Sequence, residues 1–523
     1  MWKNLIVVIF LLFLPYQARL QVLPKEGSSL NYRLIGFSFP AEQLQGRYEI
    51  QIALGNYYSA DSFGKNIVVH LPCKNTKNKN AHFKDTKTIG EVPFFGRAYT
   101  WRVVNLSNNG VKSELHHFST SMVKEVDSSV SRLRVLKSAQ KYKDAYVFLD
   151  GTRALYDMSG RPVWFLPDID GFITEKSLLR DLKLSAAGTI TFLYEERGAY
   201  EVNFHGDILW KAPNNGAVSQ QGMEGYHHEL TRLSNGHYMV LGSEYELWNK
   251  KLPSATDSTF AIFHFDKTKP DSNERSRFVS MPFGTVIEYD EKGGVVWAWK
   301  SSDYFRSSDI YYHKGRGNQL DISVHENSFY FDEQAQVLYV GFRNISRILK
   351  IKYPEGNVFA AYGETYTADA PEAGNGLYCR QHSVRRSERG YLYLFNNNSC
   401  ARSEALPRLI RLEEPPSGNG SLKKIWEYEC TTEGATDTAL KKGYQFPIGG
   451  NVVELPDHSL LANMSSSYSK VFILSEDKKI LWSAIPEKWN ANLKKWEMVY
   501  DYRASIITSR QDLERLIWNA EMK

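Results

Sequence analysis

Three histidines of the 523-residue chain, His228, His325 and His382, share one position in a repeated pattern. His228 and His382 each stand eight residues before the glycine of a polar turn, Gly236 and Gly390. His325 opens the corresponding segment that runs through Asn327-Ser-Phe-Tyr-Phe-Asp332. In two further copies the same locus holds Arg180 and Gly450. Asn327 follows His325 by two residues, which in a strand puts both side chains on one side. The stretch Val337-Leu-Tyr-Val-Gly-Phe342 reads as the antiparallel partner, so Arg343 at its far end returns to His325. His227 points to the opposite face unless the strand starts after it. The candidate catalytic set is His382, His228, His325, Arg343 and Asn327, with His227 and Arg180 as candidate substrate-binding residues.

A neutral imidazole is a competent nucleophile at neutral pH. A guanidinium fork with amide and imidazole N–H donors suits a transferred group that carries several negative oxygens. A further imidazole can protonate a leaving phenolate and later take the proton of an acceptor phenol. These requirements match sulfuryl transfer between phenolic molecules. Two other readings use the same residues. Three imidazoles can hold Zn²⁺ with one position open, as in a metal-dependent propeller hydrolase or lyase, although Arg343 would be repelled by the dication. Alternatively, the chain is a non-catalytic propeller that binds glycan or protein. No Gly-x-x-x-x-Gly-Lys-Ser/Thr run cradles a nucleotide phosphate. No cofactor and no bound metal are expected.

These side chains need a scaffold that repeats, and the sequence contains one. An apolar triplet, a polar turn and a short apolar run ending in an aromatic residue recur six times from about residue 133. The copies are Ala154 to Trp164, Tyr200 to Trp210, Val286 to Trp297, Ile348 to Phe359, Leu409 to Trp426 and Val471 to Trp482. Each reads as a hairpin by its alternation and turn chemistry. A second hairpin precedes it, as in Glu229 to Gly242 and Ser383 to Phe395. Two hairpins make four antiparallel strands, and the expected fold is all-β, a six-bladed β-propeller. Residues 244–281 read as an insertion in the third repeat. Tyr502 to Ile507 is a candidate closing strand, and Ser509 to Asp512 a helix start.

Ahead of the repeats, Tyr48 to Leu54, Ile67 to Leu71, and the pair Tyr99 to Val104 and Ser113 to Thr120 alternate as strands of a small N-terminal β-sandwich of immunoglobulin or fibronectin type. The expected organisation is a signal peptide over 1–20, the sandwich over 21–124, the propeller over 125–485 and a tail with a short helix over 486–523. The apolar run Leu5 to Leu14 behind Lys3 is too short to span a bilayer and has the layout of an export signal cleaved near Ala18 to Gln21. A periplasmic or secreted protein without a membrane span is expected. Export permits a disulfide among Cys73, Cys379, Cys400 and Cys430, and spacing leaves all pairings open. A net charge of +5 without a dense basic stripe gives no basis for nucleic-acid binding. A monomer and a homodimer are both compatible with the sequence.

The segments His227-His228-Glu-Leu-Thr-Arg-Leu-Ser-Asn-Gly236, His325-Glu-Asn327-Ser with Phe342-Arg343, and Gln381-His382 with Tyr393-Leu-Phe-Asn-Asn397 resemble the bacterial aryl-sulfate sulfotransferase family in order and spacing. The likeness spans the repeats and the small N-terminal domain. It implies a periplasmic enzyme that moves a sulfuryl group from an aryl sulfate donor to a phenolic acceptor by a ping-pong route. His382 matches the position of the transient sulfo-histidine, and His228, His325, Asn327 and Arg343 match supporting residues. Either His227 or His228 is the counterpart at its position. The resemblance further implies a disulfide near the site, joining Cys379 with Cys400. The loops depart from the family, above all over 244–281, which bears on donor and acceptor preference.

Overall fold

The computed structural model describes residues 22–40, 47–73, 85–107, 110–172, 178–251, 264–266, 278–305, 313–314, 320–321, 323–363, 376–399, 406–416, 420–434, 448–465 and 468–521. The segment on which the export expectation rests, 1–20, and Cys400 lie outside these residues. The chain divides into two compact units, Met1–Ser121 and Met122–Lys523. Among the described residues no helix is long and apolar enough to cross a membrane.

In the first unit, alternation yields one sheet in the order Ser28–Leu30, His116–Thr120, Ala98–Asn105, Tyr48–Leu54 and Ile67–Cys73, with Val111–Lys112 added to Ala98–Asn105. A second pair joins Leu34–Pro40 to Asp85–Glu91. The buried Phe37 of that pair meets Trp101 of the larger sheet edge-to-face at 5.1 Å, so apolar faces of both sheets share a core.

The second unit is a β-propeller-like series of antiparallel sheets. Among the described residues, six of them have at least four strands. All six outer hairpins expected from the repeat form, with their last strands at Pro162–Phe165, Ile208–Lys211, Val295–Lys300, Val358–Gly363, Lys423–Glu429 and Ile480–Asn490. Consecutive sheets pack face to face. Leu241, Phe283 and Val286 of the third meet Phe329, Val340 and Phe342 of the fourth. Tyr393 and Phe395 of the fifth meet Leu460, Met464 and Phe472 of the sixth. At roughly 2 kcal/mol per buried large apolar side chain, these interfaces supply most of the stabilisation.

The tryptophans that end five of the hairpins have a specific use, whereas Phe359 of the fourth is exposed. Trp164 donates its indole N–H to Phe204 O at 2.7 Å, and Trp297 to Pro354 O at 2.8 Å. Trp426 donates to Glu476 O at 3.1 Å. Each acceptor lies in the outer turn of the following sheet. Trp210 stacks on Tyr238 of the next sheet at 3.7 Å. Trp482 of the sixth sheet donates to Met158 O at 2.9 Å, in the outer turn of the first. The chain ends interleave likewise. Ala504–Ile507 pairs with Tyr146–Leu149 at one edge of the first sheet, and Ser131–Lys137 pairs with Ile480–Asn490 in the sixth.

Two boundaries differ from the expectation. Ile480–Asn490 runs through the point where a tail was to begin, and the tail supplies a strand of the first sheet before ending in the helix Arg510–Glu521. The segment read as an insertion is in part an extension of the hairpin, because Tyr238–Asn249 pairs residue for residue with Phe278–Tyr289. Alternation persists there, so the ladder propagates beyond the length of neighbouring strands.

Trp482 is fully buried, and removing its N–H orphans a buried carbonyl. Trp482→Phe is expected to lower unfolding stability by roughly 3 kcal/mol in urea titration, whereas Trp426→Phe, half-buried, costs about 1 kcal/mol or less.

Candidate functional site

In three of the six sheets the first strand begins where the ladder is irregular. Register shifts occur between Arg180 and Lys183, between Glu326 and Ser328, and between His382 and Arg385. Asp181, His228, His325 and Ser383 have φ of 58°, 59°, 56° and 56°, a conformation costly for side-chain-bearing residues. Glu229 N–H donates to His227 O at 2.7 Å across His228, which makes a γ-turn. Such bulges re-aim side chains at the end of a strand, and strain of this kind gathers at functional sites.

The result is a buried cluster of imidazoles. The rings of His227 and His228 lie 4.8 Å apart, and those of His228 and His325 5.3 Å apart. His382 is within electrostatic range of both His228 and His325. His227 and His228 are 8% exposed and His382 1%, whereas His325 is half-buried at the edge of the group. Arg343 N–H donates to His325 O at 2.8 Å, so the guanidinium-bearing residue sits directly opposite His325 as expected. The strand that follows His228 starts only at Leu230, which lets His227 turn back beside His228 rather than away from it.

Hydrogen bonds fix the tautomers. His227 Nε2–H donates to Gly242 O at 3.0 Å, so its Nδ1 must accept. The donor is His228 Nδ1–H at 2.7 Å, which leaves His228 Nε2 with a lone pair. His382 Nδ1–H donates to Asn397 Oδ1 at 2.7 Å. Asn397 Nδ2 donates to Gly449 O at 3.0 Å, which sets the amide orientation. His382 Nε2 then carries a lone pair, on which Gly449 N–H rests at 3.1 Å. Gly449 has φ of 70°, and a Cβ there would lie 2.4 Å from Ser465 Oγ, so only glycine brings its N–H to this point.

The imidazoles are neutral. Burial lowers His227 to about 4, and burial with the Arg343 charge lowers His325 to about 3. Burial and then the neighbouring histidines hold His228 well below 6.5. Burial and then Arg343 do the same for His382. Glu326 moves the other way, raised by burial to about 8, so it stays protonated at neutral pH. It packs where a Cβ on Gly284 would clash at 1.4 Å, which makes Gly284 the residue that admits it.

Two expected roles change. Asn327 donates Nδ2–H to Gln381 O at 2.8 Å, because the bulge after Glu326 breaks the alternation that was to place it beside His325. It therefore clamps the residue before His382. Arg180 does reach the site region, but its guanidinium pairs with Glu195 at 3.0 Å and lies 4.2 Å above the Tyr502 ring.

Tyr502 and Asn397 are the members that sequence reasoning did not assign. The Tyr502 ring is 5.7 Å from His228 and 6.1 Å from His382, both edge-to-face. Its buried hydroxyl has no hydrogen-bond partner among the described residues. Tyr502 was placed at the head of a candidate closing strand, Tyr502 to Ile507, but without a role at the histidines. Asn397 was visible only as part of Phe395-Asn-Asn397, at the end of the strand paired to His382.

Beneath the histidines lies a buried ionic network. Arg503 reaches Asp181 at 2.9 Å, Glu229 at 3.3 Å and Asn327 O at 2.9 Å. Arg385 joins Glu229 at 2.5 Å. No three or more His, Cys, Asp or Glu among the described residues converge as a metal-binding group.

Taken together, fold and site define a β-propeller-like protein with a neutral histidine cluster at the strand starts. No protein-family model matches the chain, and no curated protein matches it. Solved structures that resemble it include a protein of unknown function from Bacteroides caccae (12% identity, 73% of this chain and 100% of that one, TM-score 0.38). The periplasmic gluconolactonase of Pseudomonas aeruginosa also resembles it (10% identity, 72% and 99%, TM-score 0.33). A third is a putative 6-phosphogluconolactonase from Bacteroides fragilis (12% identity, 88% and 98%, TM-score 0.26). At TM-scores this low the likenesses decide nothing about activity.

The Glu326 carboxyl has a pKa of about 8 in the folded chain against an ordinary 4.5. A raised acid pKa contributes stability below the unfolded value and loses it as pH rises through the folded one. Glu326→Gln lacks that loss. Its stability relative to the parent is therefore expected to rise by about 1.4 kcal/mol per pH unit between roughly pH 5 and 8, read from urea titrations at three pH values.

Proposed function

We propose that the chain is a six-bladed β-propeller enzyme, preceded by a small β-sandwich, that transfers a sulfuryl group from an aryl sulfate to a phenolic acceptor through a sulfo-histidine at His382. The observation that carries the reading is the His382 tautomer: Nδ1–H held by Asn397, Nε2 with a lone pair, and a neutral ring among His228, His325 and Arg343. The six successive sheets and the returns of Trp482 and Ala504–Ile507 to the first sheet support a closed ring of blades. The two facing sheets of the first unit support the sandwich.

In the first half-reaction, the Nε2 lone pair of His382 attacks sulfur, and the S–O bond breaks with its electron pair on the leaving phenolate. The Gly449 amide passes from Nε2 to a sulfuryl oxygen. Positive charge grows on the His382 ring, and the Asn397 carbonyl on Nδ1–H stabilises it. Arg343 balances the sulfuryl oxygens. In the second half-reaction, His228 Nε2 takes the acceptor phenol proton, the phenolate oxygen attacks sulfur, and the N–S bond returns its pair to His382. His228 then passes that proton to water, which restores its neutral ring before the next donor binds, and the phenolate of the first half-reaction departs as the anion. Tyr502 presents its ring edge and hydroxyl to the aryl group. Export through residues 1–20 and a Cys379–Cys400 bridge belong to the same proposal. Cys73 and Cys430 are free buried thiols.

Incubation with 4-nitrophenyl sulfate is expected to release nitrophenol in proportion to added phenol, with one SO₃ group on the His382 peptide when phenol is omitted. His382→Ala is expected to lose roughly 10³-fold or more in turnover. Asn397→Ala should lower kcat by roughly 10- to 100-fold through a misplaced ring, with KM little changed. Release that ignores phenol, or full activity in His382→Ala, would overturn the reading.

A further inference from the structure

The geometry points to a second ligand site, a chamber for an aromatic oxyanion on the far side of Arg180 from the histidines. A cavity of about 410 Å³ opens there, and Arg180, Arg153, Tyr194, Tyr500, Lys124 and Lys488 line it. Its size suits one benzenoid molecule, because small-molecule sites begin near 300 Å³. None of the histidines lines it.

The charge of the lining selects an anion. Arg180 is 9% exposed, pairs through one nitrogen with Glu195 at 3.0 Å, and keeps its Nε without a hydrogen-bond partner among the described residues. A guanidinium edge of that kind fits a carboxylate or sulfonate oxygen. Arg153 is held by Glu125 at 3.0 Å, with φ of 55° fixing its approach from the loop after Leu149. Lys124 and Lys488 at the rim are exposed and make no ion pair among the described residues.

Two acids also line the chamber, Glu125, which Arg153 matches, and Asp150, and they do not cancel the charge of Arg180 and the two lysines. Asp150 is 1% exposed and faces Asp501, and burial raises both carboxyls, so the pair retains a proton. The rings of Tyr194 and Tyr500 supply the aromatic walls. Tyr502 separates the chamber from the cluster, since Arg180 lies on the same ring whose edges meet His228 and His382. The site stands on this geometry and holds whether or not His382 carries a sulfuryl group.

Calorimetric titration of the full chain with 4-hydroxybenzoate, and with its neutral isostere 4-hydroxybenzamide, tests the inference. The benzoate is expected to bind once per chain and at least tenfold tighter than the amide, in the parent and in His382→Ala alike. Lys124→Glu/Lys488→Glu alters only exposed residues and is expected to weaken benzoate at least fivefold without moving the amide. Arg153→Gln is expected to act in the same direction. Equal affinity for benzoate and benzamide, no benzoate binding, binding lost in His382→Ala, or an unchanged Kd in the double variant would overturn the second site. Absence of sulfuryl turnover with this pattern intact would instead count against the proposed reaction alone.

Discussion

The guanidinium of Arg503 is the group on which the candidate site depends. It is 4% exposed and meets Asp181 of the second sheet, Glu229 of the third and the Asn327 carbonyl of the fourth. Burial alone would lower its pKa, but Glu229 and Asp181 raise it, so the charge is kept. Buried ion pairs are poor sources of net stability, yet removing one partner typically costs roughly 3–5 kcal/mol. Such a network resists any rearrangement of the strands that supply it. The members are sequence neighbours of the chemistry: Arg180 precedes Asp181, His228 precedes Glu229, and Tyr502 precedes Arg503. Locking the charged residue thus locks the residue before it.

The same network explains why the imidazoles are neutral. Arg503 and Arg343 are fixed cations near His228, His325 and His382, and each adds to the burial that lowers the histidine pKa values. A protonated imidazole here would lose hydration and meet these cations, which outweighs the bonds to Asn397 at His382 and to Gly242 at His227. Neutral rings must then share protons through defined tautomers, and the His228–His227–Gly242 chain and the His382–Asn397–Gly449 chain do so in parallel. Both chains end on backbone carbonyls, whose position the sheets determine. The outcome is two Nε2 lone pairs, on His228 and His382, in one buried cluster.

Much of the strand pattern was legible in the sequence because period-two alternation and turn chemistry are local signals. The six outer hairpins formed as expected, and their terminal Trp residues proved to be ties to neighbouring sheets. The shared locus of His228, His325 and His382 was legible because repeats preserve position. What escaped is non-local or subtle. The closing strand was legible, but the meeting of Tyr502 with the histidines depends on its pairing with Tyr146–Leu149 and its bond to Asp150, contacts that no local pattern encodes. Asn327 was misaimed because alternation assumes a regular ladder, and a bulge shifts the register at that point. The extent of the third-sheet hairpin was missed because its polar alternation resembles a surface loop. The placement of Gly449 on His382 follows from a positive φ, which a glycine permits but does not announce.

Closure and site are therefore one construction. Asp150 accepts the backbone N–H groups of Tyr502 at 2.8 Å and Arg503 at 3.0 Å. Asn451 of the sixth sheet brackets Ala504 with its side-chain amide, accepting its N–H at 3.0 Å and donating to its carbonyl at 2.8 Å. These bonds seat the closing strand between the first and sixth sheets, and the seated strand delivers Arg503 to the carboxylates and Tyr502 to the imidazoles. Without that strand, Asp181 and Glu229 keep Lys183, at 2.7 and 3.8 Å, and the Leu230 N–H bond to Asp181, but lose the guanidinium that also joins them to the fourth sheet. A chain that folds its sheets but leaves this strand free would keep its hairpins and lose its cluster. The histidine cluster is thus coupled to a long-range contact of the fold, the seating of Tyr502 and Arg503 on Asp150.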